Sequence, residues 1–296
     1  MPAEQGRSCD RTSPMGRPPR VSIVTPSLNQ ARFLTENLAS VAGQAGDFEV
    51  EHIVVDGGSS DDSVAILEAY EVVLGETRGA AANRGVRLLW SSEPDRGQSH
   101  AINKGLALAT GDIVAYLNSD DALLPGALAA VVAAFRERPQ AGWLYGWCRA
   151  VDQDGRPTGR FVKSYKQILG WHFSPRRLVV ANYIPQPAAF WRRSAFKHVG
   201  FFDESLDYTM DFDYWLRLTA LGPALPVHRD LAIFRWHPES KSTRKRADMF
   251  AEGHVVAARY CDDPWLLRAA RLHDKSTVTA YAISEWIRRL RTDMTP

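Results

Sequence analysis

Between Val21 and Trp147 the chain repeats one pattern: a short apolar run, a turn, and then apolar positions spaced three and four apart. The runs are Val21 to Thr25, Val50 to Val55, Val86 to Trp90, one opening at Asp112, and Trp143 to Trp147. Runs this short and rich in β-formers read as buried strands. The stripes between them are Leu34, Leu38 and Val41; then Val64, Leu67 and Tyr70; then Ile102, Leu106 and Ala109; and finally Leu128, Val131, Val132 and Phe135. Each stripe is one face of a helix packed on a sheet. Strands alternating with such helices imply an α/β fold whose sheet is largely parallel and covered on both faces, with ligand groups at the strands' carboxyl ends. Pro26 is expected to stop the first strand because it cannot continue a ladder. Gly57 and Gly58 permit a tight turn after the second, and the Ser/Asp cluster that follows supplies an N-cap.

Those carboxyl ends are acidic. Asp56, Asp95, Asp120 and Asp121 each fall where a strand finishes. Adjacent Asp120 and Asp121 place two like charges about 4 Å apart along the backbone, which is unfavourable unless a cation or hydrogen-bond donors meet them. Capping of the next helix is one explanation. A divalent cation, Mg²⁺ or Mn²⁺, held together with substrate phosphates, is the other. Capping alone does not require every strand at one sheet edge to end in a carboxylate, so the cation is favoured.

The second half is less regular. Asp152 to Gly155 reads as a hairpin turn, Tyr183 to Trp191 as an apolar and aromatic stretch containing Gln186, and Ile233 to Trp236 as an edge strand followed by His237. A helix carries Asp211, Asp213, Trp215 and Arg217. Positions two apart on a helix point about 200° from one another, so Asp211 and Asp213 cannot face one site. Asp213 can pair with Arg217 four residues on, which leaves Asp211 the freer carboxylate. From Pro264 the tail reads as helical, with an apolar stripe of Ile283, Trp286, Ile287 and Leu290 beside Arg288, Arg289 and Arg291. That stripe suits packing on the main domain, or peripheral contact with a membrane or partner.

Bulk properties narrow the classes. A net charge of +2, with 45% apolar and 24% charged residues, fits a soluble globular protein and offers no general argument for nucleic acid. Lys241, Arg244, Lys245 and Arg246 cluster late, as a solvated face or a basic surface. Cys9, Cys148 and Cys261 show no metal-ligand spacing and fit a reducing compartment. No run of about 18 apolar residues and no signal peptide is evident. Residues 1–19, with four prolines, read as a disordered arm.

Five segments resemble, in order, the inverting nucleotide-sugar glycosyltransferases of family 2, which have the GT-A fold. They are Val-Ser-Ile-Val-Thr-Pro-Ser-Leu-Asn-Gln (21–30), His-Ile-Val-Val-Asp-Gly-Gly-Ser-Ser-Asp (52–61), Glu-Pro-Asp-Arg-Gly-Gln-Ser-His-Ala-Ile-Asn-Lys-Gly (93–105), Gly-Asp-Ile-Val-Ala-Tyr-Leu-Asn-Ser-Asp-Asp (111–121) and Met-Asp-Phe-Asp-Tyr-Trp-Leu-Arg (210–217). The resemblance implies a Rossmann-like mixed sheet over 20–240, with a nucleotide-binding half (20–125), an acceptor-binding half (126–240) and a helical C-terminal extension (241–296). It implies that Thr25, Pro26 and Asn29 line the nucleotide pocket and that Asp56 accepts a hydrogen bond from a base such as uracil. Asp95 and Arg96 would lie beside base or ribose, Asp120 would hold the ribose, and Asp121 the metal that bridges the diphosphate. Asp211 falls where the family keeps its general base, and His237 lies in a segment that closes over the diphosphate in many relatives, as a further metal ligand. Gln186, Trp191 and Trp215 suit an acceptor sugar, although buried aromatics usually fill a core. Asn118 and Met210 depart from the acidic residues that the family often has at those positions.

The reaction implied is transfer of a sugar from a nucleotide-sugar donor, UDP-linked by resemblance, to a glycan or lipid-linked hydroxyl, with manganese or magnesium and with Asp211 as base. Bacterial polysaccharide assembly in the cytoplasm, or at the inner face of the membrane, is the setting it implies. A dinucleotide enzyme would need Gly-x-Gly-x-x-Gly after the first strand and a P-loop enzyme its Gly-x-x-x-x-Gly-Lys-Ser/Thr, and neither occurs. A catalytically silent nucleotide-sugar-binding module or scaffold is the alternative that Asn118 and Met210 keep open.

Overall fold

The computed structural model describes residues 17–77, 85–237 and 245–277. The expected arm up to residue 16, the 241–244 basic cluster and the stripe from Ile283 to Leu290 lie outside them. The chain builds one eight-stranded sheet. In chain order the elements of the nucleotide half are β1 (Arg20–Ser27), α1 (Ala31–Ala42), β2 (Glu49–Asp56), α2 (Ser63–Thr77), β3 (Val86–Ser92), α3 (Gln98–Leu108) and β4 (Ile113–Tyr116). Then come β5 (Ala122–Leu123), α4 (Ala127–Glu137), β6 (Trp143–Asp152), α5 (Arg160–Gly170), α6 (Pro175–Val180), β7 (Ala189–Arg192), α7 (Arg193–Val199), α8 (Met210–Thr219), β8 (Leu225–Trp236) and α9 (Arg246–Tyr260). A last helix, α10, covers 264–277.

The strand order is β3-β2-β1-β4-β7-β6-β8-β5. The first four strands are mutually parallel, as the alternating pattern requires. The sheet turns mixed where β7 pairs antiparallel with both β4 and β6. Burial on both faces splits each central strand by parity. Val24, Val114 and Tyr116 enter one core with α3 and α8, whereas Val21, Ile23, Ile113 and Ala115 enter another under α4. Helix α3 lies so close on β1 that a Cβ at Gly105 would stand 2.4 Å from Val24 Cγ1.

Three local expectations change. β1 does not stop at Pro26 but runs to Ser27, paired with β2 throughout. The Val24 carbonyl accepts from Leu117 N at the end of β4, so Pro26, two residues on, faces the side where β4 has finished, and its missing N–H breaks no ladder bond. The turn at Asp152 to Gly155 returns only as a single bridge, Val151 to Pro157, before α5 begins. Ile233 to Trp236 is no edge strand: it ends the twelve-residue β8, which lies between β6 and β5.

Helix α8 separates its two aspartates as its period demands. Asp213 is buried and takes Arg217 Nε at 2.9 Å and the Tyr260 hydroxyl at 2.7 Å. Arg217 also donates to the carbonyls of Val199 and Phe201. Asp213 therefore fastens α8 to α9 and to the loop before it. Asp213→Ala should destabilise the fold by about 3 kcal/mol, because it leaves a largely buried guanidinium without its counter-charge; thermal melting checks this.

Candidate active site

The site is assembled at the carboxyl ends of β1 to β4 and closed from the far side by α8 and the end of β8. After β2, the Asp56 carboxylate is buried and shapes the β2–α2 turn: Oδ2 accepts from Gly58 N, Ser59 N and the Ser92 hydroxyl, and Oδ1 from the Ser59 hydroxyl, at 2.5–3.1 Å. Asn29, in the left-handed region at φ 53°, accepts from Ser60 N at 2.8 Å and so ties the β1–α1 loop to that turn. Thr25 and Pro26 are buried beneath these loops. The Thr25 hydroxyl lies 2.9 Å from His52 Nε2, and burial lowers the His52 imidazole to about 3, so this ring stays neutral.

The open carboxylate here is Asp95. It holds Gly97 N at 2.7 Å and leans over Gly57, where a Cβ would stand 2.6 Å from Asp95 Oδ2. The chain needs glycine at 57 to let that carboxylate in. Neighbouring Arg96 turns away, pairing with Glu204 at 2.7 Å, and Asn103 also meets Glu204. These contacts clasp the β3–α3 loop to the loop before α8.

At the end of β4 the adjacent aspartates point apart. Asp121 faces inward: Oδ1 accepts from Arg235 N at 2.9 Å, and Oδ2 is buried without a hydrogen-bond partner. Burial, and then the charge of Asp120, push the Asp121 carboxyl well above the ordinary carboxylate range. Asp120 faces the open edge with its Oδ2 2.9 Å from His237 Nε2, and the Phe33 ring lies beside that imidazole. Arg235 locks this corner. Its guanidinium donates to the Asp120 carbonyl, the Asp152 carbonyl and Glu36, and it covers the Phe33 face at 5.0 Å.

Asn118 belongs to a chain of amides. Gln98 donates to its oxygen at 2.7 Å, its nitrogen donates to Gln186 at 3.3 Å, and Gln186 donates to the Tyr116 carbonyl at 2.8 Å. A carboxylate at 118 could not donate to Gln186, so asparagine is the residue this chain of bonds needs. Met210, the other departure, is buried against the Ser99 hydroxyl on α3.

Asp211 stands in the first turn of α8, 3.5 Å from Asn182 Nδ2, with Phe212 N donating to its other oxygen. Burial raises its carboxyl above the usual 3.8, opposed by those two hydrogen bonds and by the Lys166 ammonium on α5. Burial first, and then the charges of Asp211 and Asp121, raise the Tyr116 phenol at the end of β4, so both carboxylates lie near that end of the sheet. Trp191 and Trp215 do not join them. Both are 1% exposed or less and pack on each other, on Trp143 and on Tyr214, because their positions in β7 and α8 face the core. They have no free face for a sugar ring.

The description "Glycosyl transferase family 2" matches residues 22–200, which is the stretch that carries this sheet edge. The chain belongs to that family. A "PGL/p-HBAD biosynthesis glycosyltransferase" of Mycobacterium bovis (strain BCG) is 32% identical over 209 residues, covering 70% of this chain and 72% of that protein. Two solved structures share the fold. One is a mannosyltransferase from Pyrobaculum calidifontis in complex with GDP-Man and Mn²⁺, at TM-score 0.59 and 18% identity, covering 97% of this chain and 85% of that one. The other is Staphylococcus aureus TarS 1–349 in complex with UDP, at TM-score 0.57 and 20% identity, covering 80% of this chain. This chain spans 65% of that TarS fragment. The family 2 chain described here is thus a glycosyltransferase of the GT-A class, with the mixed sheet and flanking helices that its sequence implied.

The sequence placed the ribose on Asp120, the metal on Asp121 with His237, and the base on Asp211; of the adjacent pair, the Asp121 side chain points inward. Sequence reasoning overlooked Arg235, Gln98, Asn182 and Lys166. Gln98 lies inside a recognised segment, and Arg235 inside the strand read at Ile233 to Trp236. The last two are brought to Asp211 only by tertiary packing.

Proposed function

We propose that this glycosyltransferase moves a sugar with inversion from a nucleoside diphosphate donor to an acceptor hydroxyl, with Asp211 taking the proton. The observation that carries this reading is the presence, at one sheet end, of a partly buried carboxylate with a raised pKa and of an Asp120–His237 pair in which Asp120 is the more exposed partner and His237 is buried behind it. A base tuned upward is better matched to a hydroxyl proton than an ordinary carboxylate. As the acceptor oxygen bonds to the anomeric carbon, the bond to the diphosphate oxygen breaks and the proton passes to an Asp211 oxygen. A single displacement needs no protein nucleophile.

Among the described residues no three His, Cys, Asp or Glu side chains converge on a metal position. Asp120 and His237 converge as two, and Mg²⁺ or Mn²⁺ at a diphosphate commonly takes only one or two protein donors. The donor set therefore fits, with Asp120 in place of Asp121. When bound, the cation would stabilise charge on the leaving diphosphate. The mannosyltransferase neighbour with GDP-Man and Mn²⁺ and the TarS neighbour with UDP support a nucleotide donor and leave the base open. Asn118 and Met210, which keep a silent binding module open, have structural roles in the amide chain and in packing against α3.

For the nucleobase we assign Asp95 in place of Asp56, since Asp56 is buried and engaged by its own turn and Ser92 while Asp95 is partly exposed beside Gly57. Gly57→Ala should then raise the donor KM about tenfold with kcat little changed, by displacing a single hydrogen-bonding carboxylate. Steady-state kinetics check this, and an unchanged KM would return the role to another residue. The function itself is tested by assaying nucleoside diphosphate release from a panel of UDP- and GDP-sugars with Mn²⁺. Turnover of at least one is expected, and none turned over would contradict the reading.

A further inference from the structure

Helix α5 is amphipathic the wrong way round. Its inward row, spaced as one helical face, is Lys163, Lys166, Gln167 and Gly170. Lys163 reaches Asp230 on β8 at 2.7 Å, the Lys166 charge acts on Asp211, and a Cβ at Gly170 would stand 2.7 Å from the Tyr183 ring. Its outward row is apolar. Phe161 is 93% exposed, Ile168 is 72% exposed, and Tyr165 lies between them on the same face, with Trp171 half-exposed just past the end. A surface helix normally turns its apolar stripe to the core, so a reversed stripe needs something else to cover it.

The charge around the stripe says what that is. Residues 160–180 contain Arg160, Lys163, Lys166, Arg176 and Arg177 and no Asp or Glu. Beside α5 lies an apolar cavity of about 160 Å³ between α5, α6 and α10, lined by Tyr165, Leu169, Val180 and Leu266, with Arg176 and Arg177 on its wall. Helix α10, which stacks His273 on Tyr165, adds Trp265, 73% exposed. Exposed Phe and Ile, aromatic residues at the boundary and an excess of cations, with Arg160 and Arg177 beside a Lys163 paired to Asp230 and an Arg176 paired to Asp263, form the pattern of a helix lying in an anionic membrane interface.

We propose that the α5 face docks on the surface of an anionic phospholipid bilayer, with Phe161 and Ile168 entering the acyl boundary and Arg160 meeting headgroups. The contact is distinct from the C-terminal stripe and does not depend on the reaction assigned above. Its consequence for catalysis does rest on that reading: docking would hold the enzyme at the surface that carries a lipid-anchored hydroxyl.

Flotation of the full chain with vesicles tests this. Wild-type protein should float with phosphatidylcholine vesicles containing one-third phosphatidylglycerol and much less with phosphatidylcholine alone. F161S/I168S should lower binding about tenfold or more, since each side chain gives up its apolar transfer, with melting temperature unchanged because both are exposed. Arg160→Glu should weaken binding only to the anionic vesicles. Wild-type protein that does not float, or a double variant that floats as well as wild type, would overturn the proposal. So would a double variant that instead dissociates a dimer in size-exclusion chromatography, since the face would then be a subunit contact.

Discussion

Asp211→Asn should reduce turnover by about 10²- to 10⁴-fold, the usual contribution of a positioned general base, while UDP affinity stays within about twofold of wild type. The neutral amide keeps the size of the side chain and the contact with Phe212 N but cannot accept the hydroxyl proton. The pH profile supplies an independent readout. Burial holds the Asp211 carboxyl above 3.8, and the base works only when ionised, so kcat/KM should rise with pH along an acid limb centred above 3.8. In the asparagine variant that limb should vanish from whatever activity remains. Lys166→Met should move the limb further upward, because the ammonium opposes the upward shift.

The second large effect separates the adjacent aspartates. Asp120→Ala should lower UDP affinity in the presence of Mn²⁺ about a hundredfold and leave the metal-free affinity nearly unchanged, because it removes the outward carboxylate of the Asp120–His237 pair. Asp121→Asn should keep the Mn²⁺ dependence. Its side chain points into the protein, and the amide oxygen can still accept from Arg235 N. Titration calorimetry with and without Mn²⁺ distinguishes them, and loss of metal dependence in Asp121→Asn alone would restore the assignment that the sequence suggested.

The part of the fold that could be read in advance is the part governed by local periodicity. Apolar runs and helical stripes place β1 to β4 and their helices correctly because β1, β2 and β4 are buried on both faces, the edge strand β3 is partly buried, and each helix packs one face on the sheet. The acidic strand ends follow from the same alternation. Direction within a residue pair was not legible. Asp120 and Asp121 are chemically identical in sequence, and only the approach of β8, which brings Arg235 N to one and His237 to the other from more than 110 residues away, decides which carboxylate faces out. The reassignment from Asp56 to Asp95 has a related reason: the β2–α2 turn and Ser92 engage the buried Asp56, while Gly57 makes room for the more exposed Asp95. Trp191 and Trp215 suit a sugar platform as residue types, but β7 and α8 turn them into the aromatic core. Helix α5 was missed because its apolar stripe, seen without its surroundings, gives no sign of facing outward.

In the proposed reaction Asp211 acts on the acceptor while Asp120 and His237 serve the donor's diphosphate. Titrating UDP with Mn²⁺ into the wild type, Asp211→Asn and Asp120→Ala tests it most directly, with donor turnover measured on the same preparations. The predicted result is wild-type affinity with lost turnover for Asp211→Asn, and lost Mn²⁺-dependent affinity for Asp120→Ala. Normal turnover in Asp211→Asn, or unchanged Mn²⁺-dependent affinity in Asp120→Ala, would contradict it.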